Sequence, residues 1–159
     1  MIDVETFRGI ITKGLSEYLG CKVIRTNQNQ KPPAYPYVSY TITTLASANK
    51  GTYGEYDDGI VRKQIEQTWS ITAQSDKTGE SMNLALKARE WFDYAGRIYF
   101  QANDVTVKAV TNITNRDNIL TVDYEYKNGF DVVFYLFDEL KNNIEQSGVI
   151  EKVTLNEKE

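Results

Sequence analysis

Apolar residues recur at helical spacing from Val4 through Phe7, Ile11, Leu15 and Tyr18, bracketed by Asp3 and Gly20. The spacing predicts a helix with Asp3 as its N-cap and Gly20 as its stop. Gly9 and Gly14 fall inside it and cost about 1 kcal/mol each relative to alanine, so tertiary packing must hold this helix. Residues 22–26 read as a short strand. The polar, proline-containing stretch 27–35 cannot donate a full hydrogen-bond ladder, and Tyr35-Pro36 is the strongest candidate in the chain for a cis bond. From 37 to 45, Val38, Tyr40 and Ile42 alternate with Ser39, Thr41 and Thr43, the pattern of a half-exposed strand. From 60 to 74, Ile65, Trp69, Ile71 and Ala73 point inward, with Glu66, Thr68, Ser70 and Thr72 outward. These two strands predict a long hairpin. Its connection, 46–59, exceeds ordinary hairpin length and carries Tyr53, Tyr56, Asp57 and Asp58, so it is either a flexible excursion or a contact arm.

Asp76 then caps a predicted helix in which Met82, Ala85, Ala88, Trp91, Phe92 and Ala95 form one core stripe, closed by Gly96. Val105, Val107, Ala109 and Ile113 begin the next strand. Arg116 and Asp117 organise a turn through local hydrogen bonds, and the chain passes into the region with the clearest alternation. There Leu120, Val122, Tyr124 and Tyr126 alternate with Thr121, Asp123, Glu125 and Lys127. On the far side of Lys127-Asn128-Gly129, Phe130, Val132, Phe134 and Leu136 make one apolar row, while Val133, Tyr135 and Phe137 make a second on the opposite face. A three-residue turn with Gly129 left-handed pairs Tyr126 with Phe130, Tyr124 with Val132 and Val122 with Phe134. That hairpin places Asp123, Glu125 and Asp131 at an acidic tip. Its second apolar face must be covered by another element or by another subunit. Glu139-Leu140-Lys141 extends the strand or starts a short helix, and 149–159 is a charged arm or frayed tail. The predicted class is α+β: an antiparallel sheet with two helices packed on one face, long hairpins and extended arms.

Composition narrows what such a sheet can do. At 159 residues and 41% hydrophobic content the chain is expected to form a single domain, 1–159, with its own core. A net charge of -4 and a pI near 5.0 argue against a sequence-tolerant grip on nucleic acid. With no histidine, Ser-His-Asp and Cys-His catalysis and His-ligated zinc or haem are excluded. No phosphate-cradling glycine motif occurs; Gly51, Gly54 and Gly59 lie in the polar excursion. Cys21, the one cysteine, reads as a small buried residue and no intrachain disulfide forms. No apolar run approaches membrane-spanning length, and the start of the chain lacks a secretion signal, which predicts synthesis and use in a cytosol. No cofactor is expected.

Asn115-Arg116-Asp117, Leu120, Asp123, Glu125 and Gly129-Phe130-Asp131-Val132, with the earlier Pro36-Tyr37-Val38-Ser39-Tyr40, resemble the neck or tail-terminator proteins of long-tailed bacteriophages, particularly those infecting Gram-positive hosts. The resemblance spans roughly 32–137. Where that family carries arginine and a bulky residue before the Gly-Phe-Asp, this chain has Lys127 and Asn128. The resemblance implies a structural virion protein of the phage neck, assembled in the host cytoplasm. It implies a six-membered ring of identical subunits that caps the tail tube, stops its polymerisation and offers a surface to a head-completion or stopper protein. DNA would only pass through the lumen, and no membrane partner is implied. The interface residues expected on this reading are Arg116, Asp117, Asp123, Glu125, Asp131, Val133, Tyr135 and Phe137, with Tyr53 and Tyr56 in the excursion.

Two readings from other classes compete. Glu125-Tyr126-Lys127 is a Glu-x-Lys sequence, and Asp117 or Asp131 could complete a magnesium site for a nuclease in which Lys127 orients a water. Such short sequences arise often by chance, and an acidic domain offers no basic groove to its substrate. The third reading is a binding module that uses the tyrosine-rich loop from Tyr53 to Tyr56.

Overall fold

The first helix, α1, runs Val4–Leu19 in the computed structural model, which describes residues 2–47, 54–55, 60–119 and 124–141. Asp3 caps it as predicted: its Oδ1 accepts the Thr6 N–H at 3.1 Å and its Oδ2 the Thr6 hydroxyl at 2.7 Å. Gly20 ends it in the left-handed region at φ 71°. Phe7, Ile11, Leu15 and Leu19 form the buried face. Gly14 lies on that face because a Cβ there would stand 2.8 Å from Trp91 Cζ2, so the glycine that weakens the helix also lets it approach its neighbour.

The strands are β1 Lys22–Arg25, β2 Tyr37–Thr44, β3 Gly54–Glu55, β4 Ile60–Ser75, β5 Thr106–Val110, β6 Thr114–Asn115, β7 Asn118–Ile119 and β8 Tyr124–Lys141. The main sheet is ordered β1-β2-β4-β8-β5, with β3 on β4 and both β6 and β7 on β8. Every pairing is antiparallel except β1 on β2. The predicted α+β class holds, with that parallel edge pair as the one addition. Residues 27–36 join β1 to β2, and the Tyr35-Pro36 bond is cis. This connection covers the start of β2, so Tyr37 and Ser39 are buried along with Val38 and Tyr40, and β2 is half exposed only toward its end.

The predicted hairpin through Lys127-Asn128-Gly129 does not form. β8 continues straight through these residues, paired with the whole of β4 from Ile60↔Lys141 to Ser75↔Tyr126. A continuous antiparallel partner offers more ladder bonds than a tight turn, so the local turn preference yields. The pairs Tyr126 with Phe130 and Tyr124 with Val132 are absent: Phe130 faces Ile71 and Val132 faces Trp69. Phe134 faces Gln67 and Val107, and Leu120, Val122 and Asp123 lie outside the described residues. The start of β8 pairs instead with β7, Asn118↔Glu125 and Ile119↔Tyr124. The two opposed apolar rows of β8 survive, because alternation depends on strand character alone.

The second helical run is α2 Thr78–Glu90, a π turn Trp91–Ala95, and α3 Arg97–Ala102. Lys77, not Asp76, occupies the N-cap position, with its N–H donated to Ser75 Oγ at 3.1 Å. The buried stripe is Ser81, Ala85, Ala88, Trp91, Phe92 and Phe100; Met82 is 45% exposed and Ala95 is also exposed. Two causes shift it. Ser81 takes the inward position by donating its hydroxyl to Ala73 O at 3.1 Å while accepting Asn128 Nδ2 at 3.0 Å. The π turn, closed by the Gly96 N–H on Trp91 O at 2.8 Å, adds a residue and rephases everything after it. Gly96 therefore joins two helical segments and does not end the run.

Both helical runs pack on one side of the sheet, as predicted. Trp69 lies at the centre, stacked on Tyr40 at 4.8 Å between ring centroids, with Phe7 and Phe134 each 5.8 Å away. Its Nε1–H donates to buried Gln67 Oε1 at 2.7 Å, and Gln67 Nε2 donates to Leu45 O at 3.1 Å. Along β5, Val105 is buried, but a bulge between Val107 and Ala109 turns Ala109 outward and brings Val110 to the inner row. Cys21 is half-buried against the core, and burial pushes its thiol pKa up. Among the described residues no helix is long and apolar enough to cross a membrane.

Candidate assembly interface

Among the described residues, no helix lies over the opposite side of the sheet. Even-numbered residues of β4 and odd-numbered residues of β8 point to that side, since successive strand side chains alternate. Here Arg116, between β6 and β7, reaches across β8. Its Nη1 donates to Ser70 Oγ at 2.6 Å and Thr72 Oγ1 at 3.0 Å, and its Nη2 to Asp131 Oδ1 at 3.2 Å. The guanidinium lies over Gly129, where a Cβ would stand 2.7 Å from Nη1 and 2.5 Å from the Ile71 carbonyl oxygen. Gly129 is a strand glycine that makes room for an arginine, not a turn residue. Asp117 fixes the base of this clasp: its Oδ1 accepts the Lys127 N–H at 2.7 Å and its Oδ2 accepts Asn115 Nδ2 at 2.9 Å. Asn115 and Asp117 bond each other locally, as expected, but Arg116 and Asp117 fasten the β6–β7 segment to β4 and β8 through partners distant in sequence.

Glu125 belongs to a second clasp. Tyr35 donates its hydroxyl to Glu125 Oε1 at 3.0 Å, and Lys127 Nζ lies 3.2 Å from Glu125 Oε2. Tyr35 also stacks on Tyr37, at 5.6 Å between centroids and 14° between planes. The connection 27–36 is thereby tied to the start of β8. Burial first, and then the hydrogen bond to Glu125, push the Tyr35 hydroxyl from its ordinary 10 up to about 12. A raised folded-state value means that this contribution to stability is complete below pH 10 and is lost as pH rises through about 12. Urea unfolding midpoints of the wild type should therefore fall between pH 10 and 12, with a shallower fall in Tyr35→Phe. Equal slopes in the two proteins would contradict the clasp.

Two further ion pairs lie on the same side. Lys108 engages Glu66 and sits 5.4 Å from the centre of the Tyr135 ring; the Glu66 bond is the main reason its pKa is raised. Arg62 pairs with Glu139 at 2.8 Å. Among the described residues, no group of three Asp, Glu, Cys or His side chains is placed to hold a metal ion. Both Glu125 oxygens are engaged by Tyr35 and Lys127.

The sequence-predicted residues divide accordingly. Glu125 and Asp131 form no acidic tip; the first is buried in a clasp and the second pairs with Arg116. Val133 and Tyr135 are half-buried on the helix-free side, and Phe137 follows them at 58% exposure. Asp123, Tyr53 and Tyr56 lie outside the described residues, as do Asp57, Asp58 and 149–159; of the excursion's middle only β3 is described, paired with Arg62 and Val61. Sequence reading missed Tyr35, Lys108 and the exposed apolar residues Met82, Leu86, Tyr94 and Ile98. These had a signal in the i, i+4 spacing of Met82 with Leu86 and of Tyr94 with Ile98. Assigning Met82 to the core stripe obscured it.

The described residues thus form an α+β sheet with helices on one side and four ion pairs on the other. The chain belongs to the phage neck terminator protein family, whose model matches residues 9–158. No curated protein matches it. It is accordingly a structural protein of the phage neck, and the resemblance seen over 32–137 extends through nearly the whole sequence.

Proposed function

We propose that this protein caps the tail tube as a ring of identical subunits, six on the resemblance, stops tube polymerisation and presents a surface to a head-completion protein. It would do so as a single domain, assembled in the host cytoplasm and carried in the virion. The observation that carries the reading is the helix-free side of the sheet. Four of its cations, Arg62, Lys108, Arg116 and Lys127, are each paired with a carboxylate on the same side. Cations engaged in this way offer passing DNA little release of counterions and hence little grip. This suits a lumen better than the acidic repulsion read from the sequence.

The contact role falls to the end of that side. There β4 and β8 pair on past the last partners of β2 and β5, Thr68 and Tyr135, as far as Ile60 and Lys141. Apart from the two residues of β3 on Arg62 and Val61 this is a two-stranded ribbon, which is marginal by itself, so a partner surface favours it. Val133 and Tyr135 lead toward this ribbon and Phe137 stands at its base, with Tyr53 and Tyr56 of the excursion as further contacts. Head-to-tail packing of one such surface on a different surface of the next copy closes a ring when the rotation allows.

Phe137→Asp tests this. Because Phe137 is largely exposed, the fold should lose no more than about 0.5 kcal/mol in urea unfolding. Purified tail-tube protein should stop elongating when wild type is added and should ignore Phe137→Asp. Continued elongation with wild type would contradict the proposal.

A further inference from the structure

The side of β5 facing away from β8 is an open sheet edge, with no strand paired to it among the described residues. A groove of about 750 Å³ runs along it, between β5 and the π turn with α3. Phe92, Phe100 and Val107 give it an apolar lining, Asp93, Arg97 and Asp104 give it charges of both signs, and Phe137 closes one end. A groove between an edge strand and a helix is the geometry in which an extended segment adds to a sheet: main-chain bonds hold it and alternate side chains enter the groove. Edge strands are often guarded by an outward lysine. Lys108 does not guard this one, because it turns back across the sheet to Glu66 and Tyr135. Arg89 closes only the far end, donating Nε to Thr111 O at 2.9 Å. The open edge is therefore short, about the length of β5 itself.

We propose that residues 149–155 of a neighbouring copy fill this groove as an added strand, a reading that rests on the ring described above. The chain continues after Lys141, and 149–155 reads Val-Ile-Glu-Lys-Val-Thr-Leu. β-Branched and aliphatic residues dominate it. Alternation sends Val149, Glu151, Val153 and Leu155 to one side, three apolar residues for the apolar lining and one carboxylate for Arg97, and leaves Ile150, Lys152 and Thr154 on the other. The neighbouring copy is the better donor than the chain itself. Tyr135 is the last β8 residue beside β5, so Lys141 lies roughly 20 Å beyond the end of β5 at about 3.3 Å per residue. The eight steps to Val149 span at most about 28 Å. A tail doubling back onto its own β5 is within that reach but would lie parallel to β5. A neighbour's tail can arrive antiparallel, the more stable arrangement per residue.

Phage particles carrying Cys21→Ser, Val107→Cys and Val153→Cys in this chain provide the test, read on a non-reducing gel after mild oxidation. Links between copies convert the monomer band to a ladder ending at the closed ring, which is the expected result. Thr106→Cys with Thr154→Cys reads the same register from the other side of the added strand and serves if the first pair disturbs the core. A shifted monomer without a ladder means that the tail folds back on its own chain and overturns the proposal. Unaltered particles treated with an amine cross-linker separate the two claims. If they give multimers while neither cysteine pair links, the groove assignment fails and the ring stands; if they give none, the ring itself fails.

Discussion

Replacing Gly129 with alanine should cost the fold about 3 kcal/mol, a large effect for one methyl group. The added Cβ would stand 2.5 Å from the Ile71 carbonyl oxygen and 2.7 Å from Arg116 Nη1. The first contact is with the neighbouring strand's backbone, which cannot step aside without breaking ladder bonds. The second displaces the guanidinium from Ser70, Thr72 and Asp131. Overpacking of this kind costs about 1–3 kcal/mol, and the lost polar contacts add to it. Because both share one arginine, the costs should not be additive. In an Arg116→Ala background the same glycine substitution should cost less, although the backbone clash persists. Urea unfolding of the four proteins measures the difference. Gly9→Ala is the internal contrast: nothing lies within 4 Å of a Cβ there, so helix propensity should raise stability by up to about 1 kcal/mol. A Gly129→Ala protein as stable as wild type would remove Arg116 from its assigned place.

Trp69→Ala should be more severe, at about 5 kcal/mol. Truncating a buried tryptophan costs about 3–5 kcal/mol through lost transfer energy and the cavity left behind. Trp69 is completely buried and touches the rings of Phe7, Tyr40 and Phe134. Its loss also removes the donor to Gln67 Oε1, leaving a buried amide oxygen without its partner at a further cost of about 1–3 kcal/mol. Domains of this size are stable by only about 5–15 kcal/mol, so the variant should be largely unfolded in low urea. Trp69→Phe, which keeps most of the volume, should retain the fold and show a smaller loss. Calorimetry distinguishes the two, and a cooperative transition for Trp69→Ala within a few degrees of wild type would contradict the placement of the core.

Strong periodicity bounded by caps was legible in the sequence. α1 has both, and Asp3 and Gly20 do what their residue types imply. The inward row of β4 and the two opposed rows of β8 were legible for the same reason, since alternation needs no knowledge of the partner strand. Lys127-Asn128-Gly129 was misread because its turn chemistry is genuine but its context is not local. Each residue answers to something distant in sequence: Lys127 to Asp117, Asn128 to Ser81 and Gly129 to Arg116. The π turn and the Lys108 bulge were illegible in a stricter sense, because each inserts one residue and no residue type announces it. The arrangement of the candidate residues was not legible. Glu125 and Asp131 were found, but their partners Tyr35 and Arg116 settle their roles.

The central claim is that this neck protein ends the growth of the tail tube. Electron microscopy of particles from a phage lacking its gene tests that most directly. Overlong tails of uneven length without heads are the predicted result. Tails of normal length that fail to join heads, or intact infectious particles, would contradict it.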